Sequence, residues 1–311
     1  MRVFLAGATG AIGRPLLRML QEAGHEVTAM TRSDSKTEML RSLGARPVVC
    51  DAFDADALRR AVGEAGPEVI VDQLTDIPQD LDVRRYGEQM AGNDRIRRET
   101  TPTIMQAAVE AGTRRVVAQS VAFAYAPQGP PVLTEDAPLD VDAPAPWDRA
   151  IDALTVLEEA VTGTPGVEGV VLRYGFFYGP GTSYASDGGI AGRVRARKFP
   201  IVGKGDGVTS FIHVEDAAEA TAAACERGEP GIYNIVDDEP APLREWLPAY
   251  AEALGAKRPF RVPVWVARMA GGPVAARISV GRGASNAKAR RELGWEPRHR
   301  SWRQGFREAL G

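Results

Sequence analysis

The sequence predicts an α/β fold, with a doubly wound parallel sheet followed by a smaller C-terminal lobe. Through the first half of the chain, short apolar runs alternate with segments of helical periodicity, which is typical of a parallel sheet with helices on both faces. This alternation stops after Gly179. A length of 311 residues fits one α/β domain that carries a smaller lobe, with the boundary expected at residue 178.

The first predicted element is a strand–turn–helix unit. The run RVFLA at Arg2–Ala6 is short and largely apolar, as expected of a strand that is buried on both faces. Apolar residues recur at helical spacing between Pro15 and Ala23, and HEVTAM at 25–30 predicts the next strand. The motif GATGAIG lies between the first strand and the helix and holds three glycines, Gly7, Gly10 and Gly13.

This glycine pattern inside a βαβ unit indicates a dinucleotide-binding turn. Gly7 permits the tight turn, Gly10 lets a pyrophosphate approach the backbone, and Gly13 lets the helix pack closely on the strand. The N-terminus of the helix then faces the anion. The other residues of the turn that we expect to contact the cofactor are Thr9, Ala11 and Ile12.

The next strands and helices alternate as the fold class requires. Four more strands are predicted, at 46–51, 68–74, 114–120 and 169–175. Three more helices are predicted, at 54–64, 95–111 and 149–162. The segment 126–147 is rich in Pro, Asp and Gly, which predicts a long loop over the site.

The C-terminal part is predicted to form most of the lobe. Residues 178–207 hold a Gly-rich loop and a basic helix, 210–228 run from a strand into an alanine-rich helix, and 233–240 form one more strand. Further helical patterns follow. We expect the lobe to close over the carboxyl ends of the strands, where open α/β sheets bind their ligands.

Charge and hydropathy argue against several classes of function. The net charge of −3 leaves no basic face for nucleic acid or an anionic membrane, and no apolar run approaches membrane-spanning length. The first strand begins at residue 2, so we expect no secretory leader. These features predict a cytoplasmic protein whose partner is a small-molecule substrate, not a nucleic acid or a membrane.

The cysteines and histidines do not suggest a metal site or a disulfide. Cys50 and Cys225 are far apart and lack ligand spacing, so two buried free thiols are expected. His25, His213 and His299 are scattered along the chain. We therefore predict no bound metal.

Several motifs, taken in order, resemble the extended short-chain dehydrogenase/reductase superfamily of the NAD(P)-dependent epimerase/dehydratase type. They are GATGAIG, AAVEAGTRRVVAQSVAFAYAP, LRYGFFYGPG, FIHVEDAAEA and KARRELGWEP, and they cover nearly the whole chain. The resemblance implies a Rossmann-type dinucleotide-binding domain over 1–178. It also implies that 179–311 are mainly a substrate-binding lobe, with some segments returning to the Rossmann sheet.

The end of the second strand favours NADP(H) over NAD. An NAD-selective site usually places a carboxylate there, whereas TRSDSK begins with Thr31, Arg32 and Ser33. The guanidinium of Arg32 can pair with a 2′-phosphate and stack on adenine, and Arg14 could add a second positive charge. The alternative is that Arg32 is a solvated surface residue.

The resemblance also implies further cofactor contacts. It places Asp51 and Ala52 beside the adenine, and Leu74 and Thr75 along the cofactor backbone. Two more residues are expected to line the cofactor, namely Gln119 and Tyr174.

The usual catalytic residues of this family are absent, which makes the chain an atypical member. Members carry a Ser or Thr, a Tyr, and a Lys four residues after the Tyr. The matching helix, WDRAIDALTVLEEAV at 147–161, contains neither Tyr nor Lys. The Tyr position falls at Ala150 or Ile151, and the Lys position at Leu154 or Thr155. Anchored on Tyr125, the hydroxyl position falls at Val121, one residue after Ser120.

Three hydroxyls are the candidate replacements for the missing proton donor: Ser120, Tyr174 and Tyr178. Ser120 could instead cap the end of its strand, and the two tyrosines could instead line an apolar pocket. Weaker candidates are His213 as a base and a carboxylate at Asp148 or Asp152. Asp216 is expected to cap the helix that follows it.

The predicted function is that of an NADP(H)-dependent oxidoreductase acting on a small or medium, partly apolar carbonyl-type substrate. A nucleotide sugar is disfavoured because Thr209 stands where related enzymes carry an arginine that contacts the diphosphate. A second arginine segment of the family is matched only loosely by RISVGRGAS, with Arg277 or Arg282 as candidates. The alternatives are a redox-neutral epimerase, isomerase or dehydratase and a non-catalytic NADP-binding sensor.

The oligomeric state stays open at this stage. Relatives often form homodimers through the helices that here span 95–111 and 149–162. Ile151, Leu154 and Leu157 could supply an apolar face for such a contact, although the same residues could face the sheet.

Overall fold

The core of the fold is a seven-stranded parallel sheet. The computed structural model describes residues 1–78 and 80–310. The order of the sheet is β12-β7-β5-β4-β1-β2-β3, formed by β1 (Arg2–Ala6), β2 (Glu26–Thr31), β3 (Arg46–Val49), β4 (Val69–Asp72), β5 (Arg115–Val121), β7 (Glu168–Tyr174) and β12 (Gly231–Ile235). All six neighbouring pairs are parallel, so every carboxyl end lies at the same edge of the sheet.

The other strands are short and pair outside this sheet. They are β6 (Val132–Leu133), β8 (Phe176–Tyr178), β9 (Ile201–Val202), β10 (Val208–Thr209), β11 (Phe211–His213), β13 (Ala241–Pro242), β14 (Arg261–Val262) and β15 (Gly283–Ala284). The pairs are β10 with β13, β11 with β8, β14 with β9 and β15 with β6.

Helices cover both faces of the sheet and build the lobe. They are α1 (Gly13–Glu22), α2 (Thr37–Ser42), α3 (Ala55–Ala65), α4 (Tyr86–Gln89), α5 (Ala91–Arg95), α6 (Thr101–Glu110), α7 (Trp147–Gly163), α8 (Gly189–Arg195), α9 (Val214–Glu226), α10 (Leu243–Ala253), α11 (Val264–Arg277), α12 (Ala287–Leu293) and α13 (Trp302–Leu310). Short 3₁₀ turns lie at Asp34–Lys36 and Val83–Arg85, and a π-helix spans Ile96–Thr100.

Each strand sends alternate side chains into two separate cores. In β1, Val3 and Leu5 pack with α1, α9 and α12, whereas Phe4 and Ala6 pack with α3, α6 and α7. This alternation follows from the two-residue period of a strand and explains why the buried runs are apolar throughout. A third core, built around Trp246 on α10 and Phe306 on α13, forms in the C-terminal part.

Two stretches differ from the sequence-based expectation. The helix predicted at 95–111 is divided into α5, the π-helix and α6, and Pro102 stands in the first turn of α6, where its missing N–H is tolerated. The loop predicted at 126–147 contains one short strand, β6, which pairs with β15.

A buried ion pair joins β7 to α7 beneath the carboxyl edge of the sheet. The guanidinium of Arg173 donates to both carboxylate oxygens of Glu158, at 2.8 and 2.5 Å. Ser120 on β5 donates to the same carboxylate at 2.6 Å, and Arg173 also donates to the Tyr125 hydroxyl at 3.1 Å. Both charged side chains are less than one-tenth exposed. The pair therefore fixes α7 against the strands that end at the site.

The apolar residues considered for a dimer interface are buried within the subunit itself. Ile151, Leu154 and Leu157 are at most 3% exposed, so they face the sheet and not a second subunit. The thiols of Cys50 and Cys225 are free and buried, as predicted. A search of the described residues finds no helix long and apolar enough to cross a membrane.

We predict that Glu158→Gln lowers the free energy of unfolding by about 3–5 kcal/mol, because it leaves the buried Arg173 without its counter-ion. Urea denaturation measures the loss. The matched control is Glu99→Gln, which breaks the exposed pair with Arg95 and should cost no more than about 1 kcal/mol. Equal losses in the two variants would contradict the structural role given to the buried pair.

Candidate functional site

The candidate site lies where the strand order of the sheet reverses. The sheet runs outward from β1 in one direction through β2 and β3, and in the other through β4, β5 and β7. Open α/β sheets bind ligands in the crevice outside the carboxyl ends at such a switch point. The turn from Gly7 to Gly13 lies at this point, at the carboxyl end of β1.

The three glycines of the turn differ in the space around them. Gly7 has a positive φ of +86°, and a Cβ added there would lie 2.4 Å from the Gln73 carbonyl oxygen. A Cβ on Gly13 would lie 2.2 Å from the Gly7 oxygen. At Gly10 the same atom would meet only the Gly7 oxygen, at 3.3 Å, and Gly10 is exposed. The turn thus offers open backbone at Gly10 for a pyrophosphate.

The remaining turn residues surround this open backbone. Ala11 is exposed, Thr9 is half-buried, and Ile12 is buried at the N-cap position of α1. Arg14 is exposed, and its Nε donates to the Thr9 carbonyl at 3.1 Å. Backbone N–H groups, the start of a helix and an adjacent cation together suit a doubly charged pyrophosphate.

Basic side chains gather at the end of β2. Thr31 is buried, and its Oγ1 accepts from the Ser33 backbone at 3.2 Å, which turns the chain away from the strand. Arg32 is exposed beside it. Lys36, which the sequence reasoning missed, donates to the Thr9 hydroxyl at 3.4 Å and so lies against the glycine turn. A 2′-phosphate at this position would meet two cations.

The other expected cofactor contacts lie along the same edge. Asp51 is exposed, and its carboxylate accepts from the Phe53 backbone at 3.0 Å, while Ala52 is half-buried. Leu74 is half-buried and Thr75 is exposed just beyond β4. Gln119 on β5 is 8% exposed.

An apolar cluster occupies the side of the site where the catalytic pair of the family would lie. We name it the α7 cluster, and its buried members are Tyr86, Met90, Val121, Ala124, Ala143, Trp147, Ala150, Ile151 and Leu154. Ala150 and Ile151, the two candidates for the Tyr position, are 1% and 2% exposed. At the Lys position, Leu154 is 1% exposed, and Thr155 is half-buried with its hydroxyl donating to the Ile151 carbonyl. Half-buried Phe123 and Phe176 stack beside it with ring centroids 4.2 Å apart.

The three hydroxyls predicted as proton donors are enclosed in the structure. Ser120, Tyr174 and Tyr178 each have 0% of their surface exposed. Ser120 is bonded to Glu158, and Tyr174 to Thr221 at 2.7 Å and to Gln73 at 3.1 Å.

Tyr178 packs at the base of the C-terminal core against His213 and Phe306. Burial raises the pKa of the Tyr174 and Tyr178 hydroxyls, which makes them poorer acids. A proton donor has to reach the substrate. The structure therefore argues against these three residues as the catalytic set, and against a direct cofactor contact by the Tyr174 side chain.

Two further carboxylates also lie away from the crevice. Asp148 and Asp152 are exposed on the outer face of α7, where Asp152 pairs with Arg98 at 2.8 Å. They are not positioned to replace the missing Tyr and Lys.

The predicted cap of α9 was assigned to the wrong residue. His213 is the N-cap, with Nδ1 accepting from the Glu215 backbone at 3.3 Å. Asp216 instead accepts from the backbone N–H groups of Arg298 and His299, at 3.2 and 2.9 Å. This carboxylate ties the C-terminal segment to α9, which sequence spacing could not indicate.

The histidines are also less scattered than expected. His213 and His299 stack with ring centroids 3.8 Å apart. One ring nitrogen from each histidine and one carboxylate oxygen of Asp216, all possible metal ligands, lie within 4.8 Å of one another. Burial and the adjacent His299 lower the pKa of His213. Since the backbone already uses His213 Nδ1 and both Asp216 oxygens, this group has a clear structural role.

The arginines considered for a diphosphate are committed to the fold. Arg277 forms an ion pair with Asp140 and donates to the Tyr125 carbonyl at 3.1 Å. Arg282 donates to the carbonyls of Val280 and Pro127, and Thr209 accepts from the Trp246 indole at 3.2 Å. The site thus lacks a free arginine at the positions that resemble the diphosphate clamp.

The comparisons with known proteins agree with the fold. The sequence profile of the NAD dependent epimerase/dehydratase family matches residues 3–236. A protein of Streptomyces sp called 3-diazoavenalumate denitrifying reductase is 49% identical over 98% of this chain and 99% of its own length. A ketoreductase of Stigmatella aurantiaca, named for a farnesyl-dihydroquinoline oxide, is 29% identical over 87% of this chain and 78% of its own.

Solved structures of similar fold cover the chain from end to end. UDP-glucose 4-epimerase of Thermotoga maritima superimposes with a TM-score of 0.76 and 20% identity, covering 100% of this chain and 97% of its own. A human epimerase family protein with NADPH gives a TM-score of 0.72 and 20% identity, covering 100% and 99%. At this identity the likeness establishes the fold.

We predict that Gly10→Val abolishes nicotinamide dinucleotide binding while the protein stays folded, because the branched side chain fills the space that the pyrophosphate needs. Fluorescence titration with NADPH measures binding, and circular dichroism reports folding. In contrast, Gly13→Val should also damage the fold, since its side chain would enter the Gly7 backbone. Normal titration of a folded Gly10→Val protein would refute the assignment.

Proposed function

Because the chain belongs to the NAD dependent epimerase/dehydratase family and is an NAD(P)-dependent reductase, we propose that it reduces a diazo-substituted aromatic acid with NADPH and releases dinitrogen. The relative at 49% identity carries such a reaction in its name, and the match spans both chains almost completely. The proposal transfers that chemistry to the site described above.

The observation that carries the proposal is the apolar filling of the α7 positions. Ala150 and Leu154 offer neither a proton nor a cation, and both are buried. A reductase that makes an alcohol from a ketone has to protonate the new alkoxide, and a positioned general acid contributes about 10²–10⁴-fold to such a step. No alkoxide forms at a carbon that loses dinitrogen with the electron pair of its C–N bond, so no general acid is needed beside that carbon. The absent pair is therefore dispensable for this chemistry.

Bound in the crevice, NADPH would supply the hydride equivalent that replaces the diazo group by hydrogen, with dinitrogen leaving on the electron pair of the C–N bond. The chain has to hold an aromatic substrate flat against this position. Phe123 and Phe176 stack at the edge of the α7 cluster and keep part of their surface exposed. Aromatic faces of this kind favour an aromatic guest and exclude water from the reacting centre.

Residues of the glycine turn and the end of β2 would hold the cofactor. The open backbone at Gly10 suits the pyrophosphate, and the tight packing of Gly7 and Gly13 keeps that backbone in place. Arg32 and Lys36 support NADPH over NADH, since two cations at the end of β2 favour a 2′-phosphate. The neighbours of similar fold are divided, with NAD in one epimerase structure and NADPH in the human protein.

The competing substrate class is a ketone, in line with the carbonyl-type substrate predicted from the sequence. The ketoreductase of Stigmatella aurantiaca and a 2-alkyl-3-oxoalkanoate reductase at 26% identity favour it. Against it stands the lack of an accessible donor among the three hydroxyls nominated from the sequence. The diazo proposal explains the missing proton donor, and the relative that supports it is more similar in sequence than the two that favour a ketone.

We predict that Arg32→Asp weakens NADPH binding about ten- to a hundredfold, the value of one charge-assisted contact, and leaves NADH binding nearly unchanged. Titration of both cofactors by fluorescence gives the ratio. Arg18→Asp is the matched control, because Arg18 is exposed on α1 away from the end of β2. Equal affinity of the wild-type protein for NADH and NADPH would show that the arginine does not select the cofactor.

The substrate class is tested by incubating the protein with NADPH and 3-diazoavenalumate. We expect one molecule of dinitrogen to be released for each NADPH oxidised. Mass spectrometry measures the dinitrogen, and nicotinamide absorbance measures the NADPH. Oxidation of NADPH with a panel of ketones should be much slower. The Gly10→Val variant controls for reduction outside the cofactor site. Rapid reduction of ketones with no release of dinitrogen would replace the diazo proposal with the carbonyl one.

A further inference from the structure

Arg97 is a buried cation whose guanidinium has no close partner. The residue is 5% exposed, and the nearest carboxylate is that of Asp94, 4.0 Å away. Among the described residues it forms no side-chain hydrogen bond. A guanidinium has five N–H donors, and the Arg97 nitrogens are not among the fully enclosed, unpaired polar atoms of the described residues, so a solvent or ligand oxygen can reach them. An oxygen atom from outside the protein is therefore expected beside it.

The neighbouring arginines show that this inward position is specific. Arg95 pairs with Glu99 at 2.9 Å, and Arg98 pairs with Asp152 at 2.8 Å, both at the outer surface. Arg97 lies within the π-helix at Ile96–Thr100, which packs against α5, α6 and α7. Single π-helical turns inside helices occur often at functional sites. The widened turn brings one arginine of the run into the interior.

Two more hydrogen-bond donors lie in the same region without an acceptor. Tyr86 and Trp147 pack with ring centroids 5.4 Å apart in the α7 cluster. The Trp147 indole N–H is enclosed and unpaired among the described residues. The Tyr86 hydroxyl likewise has no partner in the described part of the chain, and the residue keeps 7% of its surface exposed. The charge of Arg97 also acts on the Tyr86 hydroxyl.

The anionic groups around Arg97 do not satisfy it. Glu158 on α7 is already bonded to Arg173 and Ser120. Asp72 at the end of β4 is already committed, since its carboxylate accepts from the Leu74 backbone and the Thr101 hydroxyl. Asp94 is the one direct counter-ion among the described residues, and one of its oxygens is itself unpaired.

From this arrangement we infer that Arg97 and Tyr86 form the pocket that receives the carboxylate of the substrate, beside the enclosed indole of Trp147. The inference rests on the proposed function, because it assigns the anionic end of an aromatic acid whose ring lies against Phe123 and Phe176. A carboxylate accepts several hydrogen bonds and matches a guanidinium fork, whereas a neutral end group would leave the buried donors unmet. The pocket selects acids over their esters.

The test measures binding and does not require turnover. Isothermal titration of the NADP⁺-loaded protein with avenalumate and with its methyl ester compares the wild type with Arg97→Met and Arg97→Lys. We expect Arg97→Met to weaken binding of the acid about ten- to a hundredfold and to change binding of the ester less than about threefold. Arg97→Lys should restore part of the loss, and NADP⁺ affinity should not change.

A second variant protects the test against a simple loss of folding. Arg97→Met leaves Asp94 buried without its counter-ion, so the double variant Arg97→Met with Asp94→Asn removes both charges together. Its thermal midpoint should lie near that of the wild type, and it should still fail to prefer the acid. Tyr86→Phe should weaken the acid severalfold and spare the ester.

The outcomes separate this inference from the proposed function. If Arg97→Met weakens acid and ester equally, or if the folded double variant keeps the full preference for the acid, the carboxylate pocket is wrong. If the wild type binds avenalumate through Arg97 but never releases dinitrogen from the diazo compound, the proposed reaction is wrong and the pocket stands. Dinitrogen release with unchanged KM in Arg97→Met would overturn the pocket alone.

Discussion

The site depends on how closely the backbone of the β1–α1 turn can approach its neighbours. A side chain at Gly7 would enter the backbone beyond β4, and one at Gly13 would enter the turn itself. The same closeness holds α1 against the sheet and leaves Gly10 facing the crevice. Because β4 and β5 end beside this turn, the residues that follow them line the same opening. One steric constraint thus positions both the open backbone at Gly10 and the strand ends beside it.

Much of the fold could be predicted, and candidate cofactor residues could be named, because the signals for both are local. The glycine spacing, the apolar runs and Arg32 after the end of β2 can each be recognised within a few residues of sequence. The apolar character of α7 at Ala150 and Leu154 was also visible in the sequence, and both side chains are buried in the structure. The predicted strands and helices differ from the structure mostly by one or two residues at their ends, where hydrogen bonding tapers off.

The surroundings of the other candidate residues depend on tertiary contacts that the sequence does not encode locally. Arg97 stands in a run of charged residues that is typical of a solvated helix face, and only the π-helix turns it inward. Ser120 and Tyr178 lie beside the expected motifs, yet neighbouring elements enclose them. Asp216 follows the pattern of a helix cap, whereas its oxygens bind a segment about eighty residues later in the chain.

The apolar filling of α7 has a consequence for the direction of catalysis. A dehydrogenase that works reversibly needs a group to accept the hydroxyl proton of an alcohol as hydride leaves. Ala150 and Leu154 remove that acceptor from the helix, so the microscopic reverse of a carbonyl reduction has no base there. Loss of a gas from the substrate would make the forward path irreversible in any case. An enzyme that never runs its reaction in reverse needs no base on α7. Positions 150 and 154 are then free to hold apolar residues that stabilise the fold.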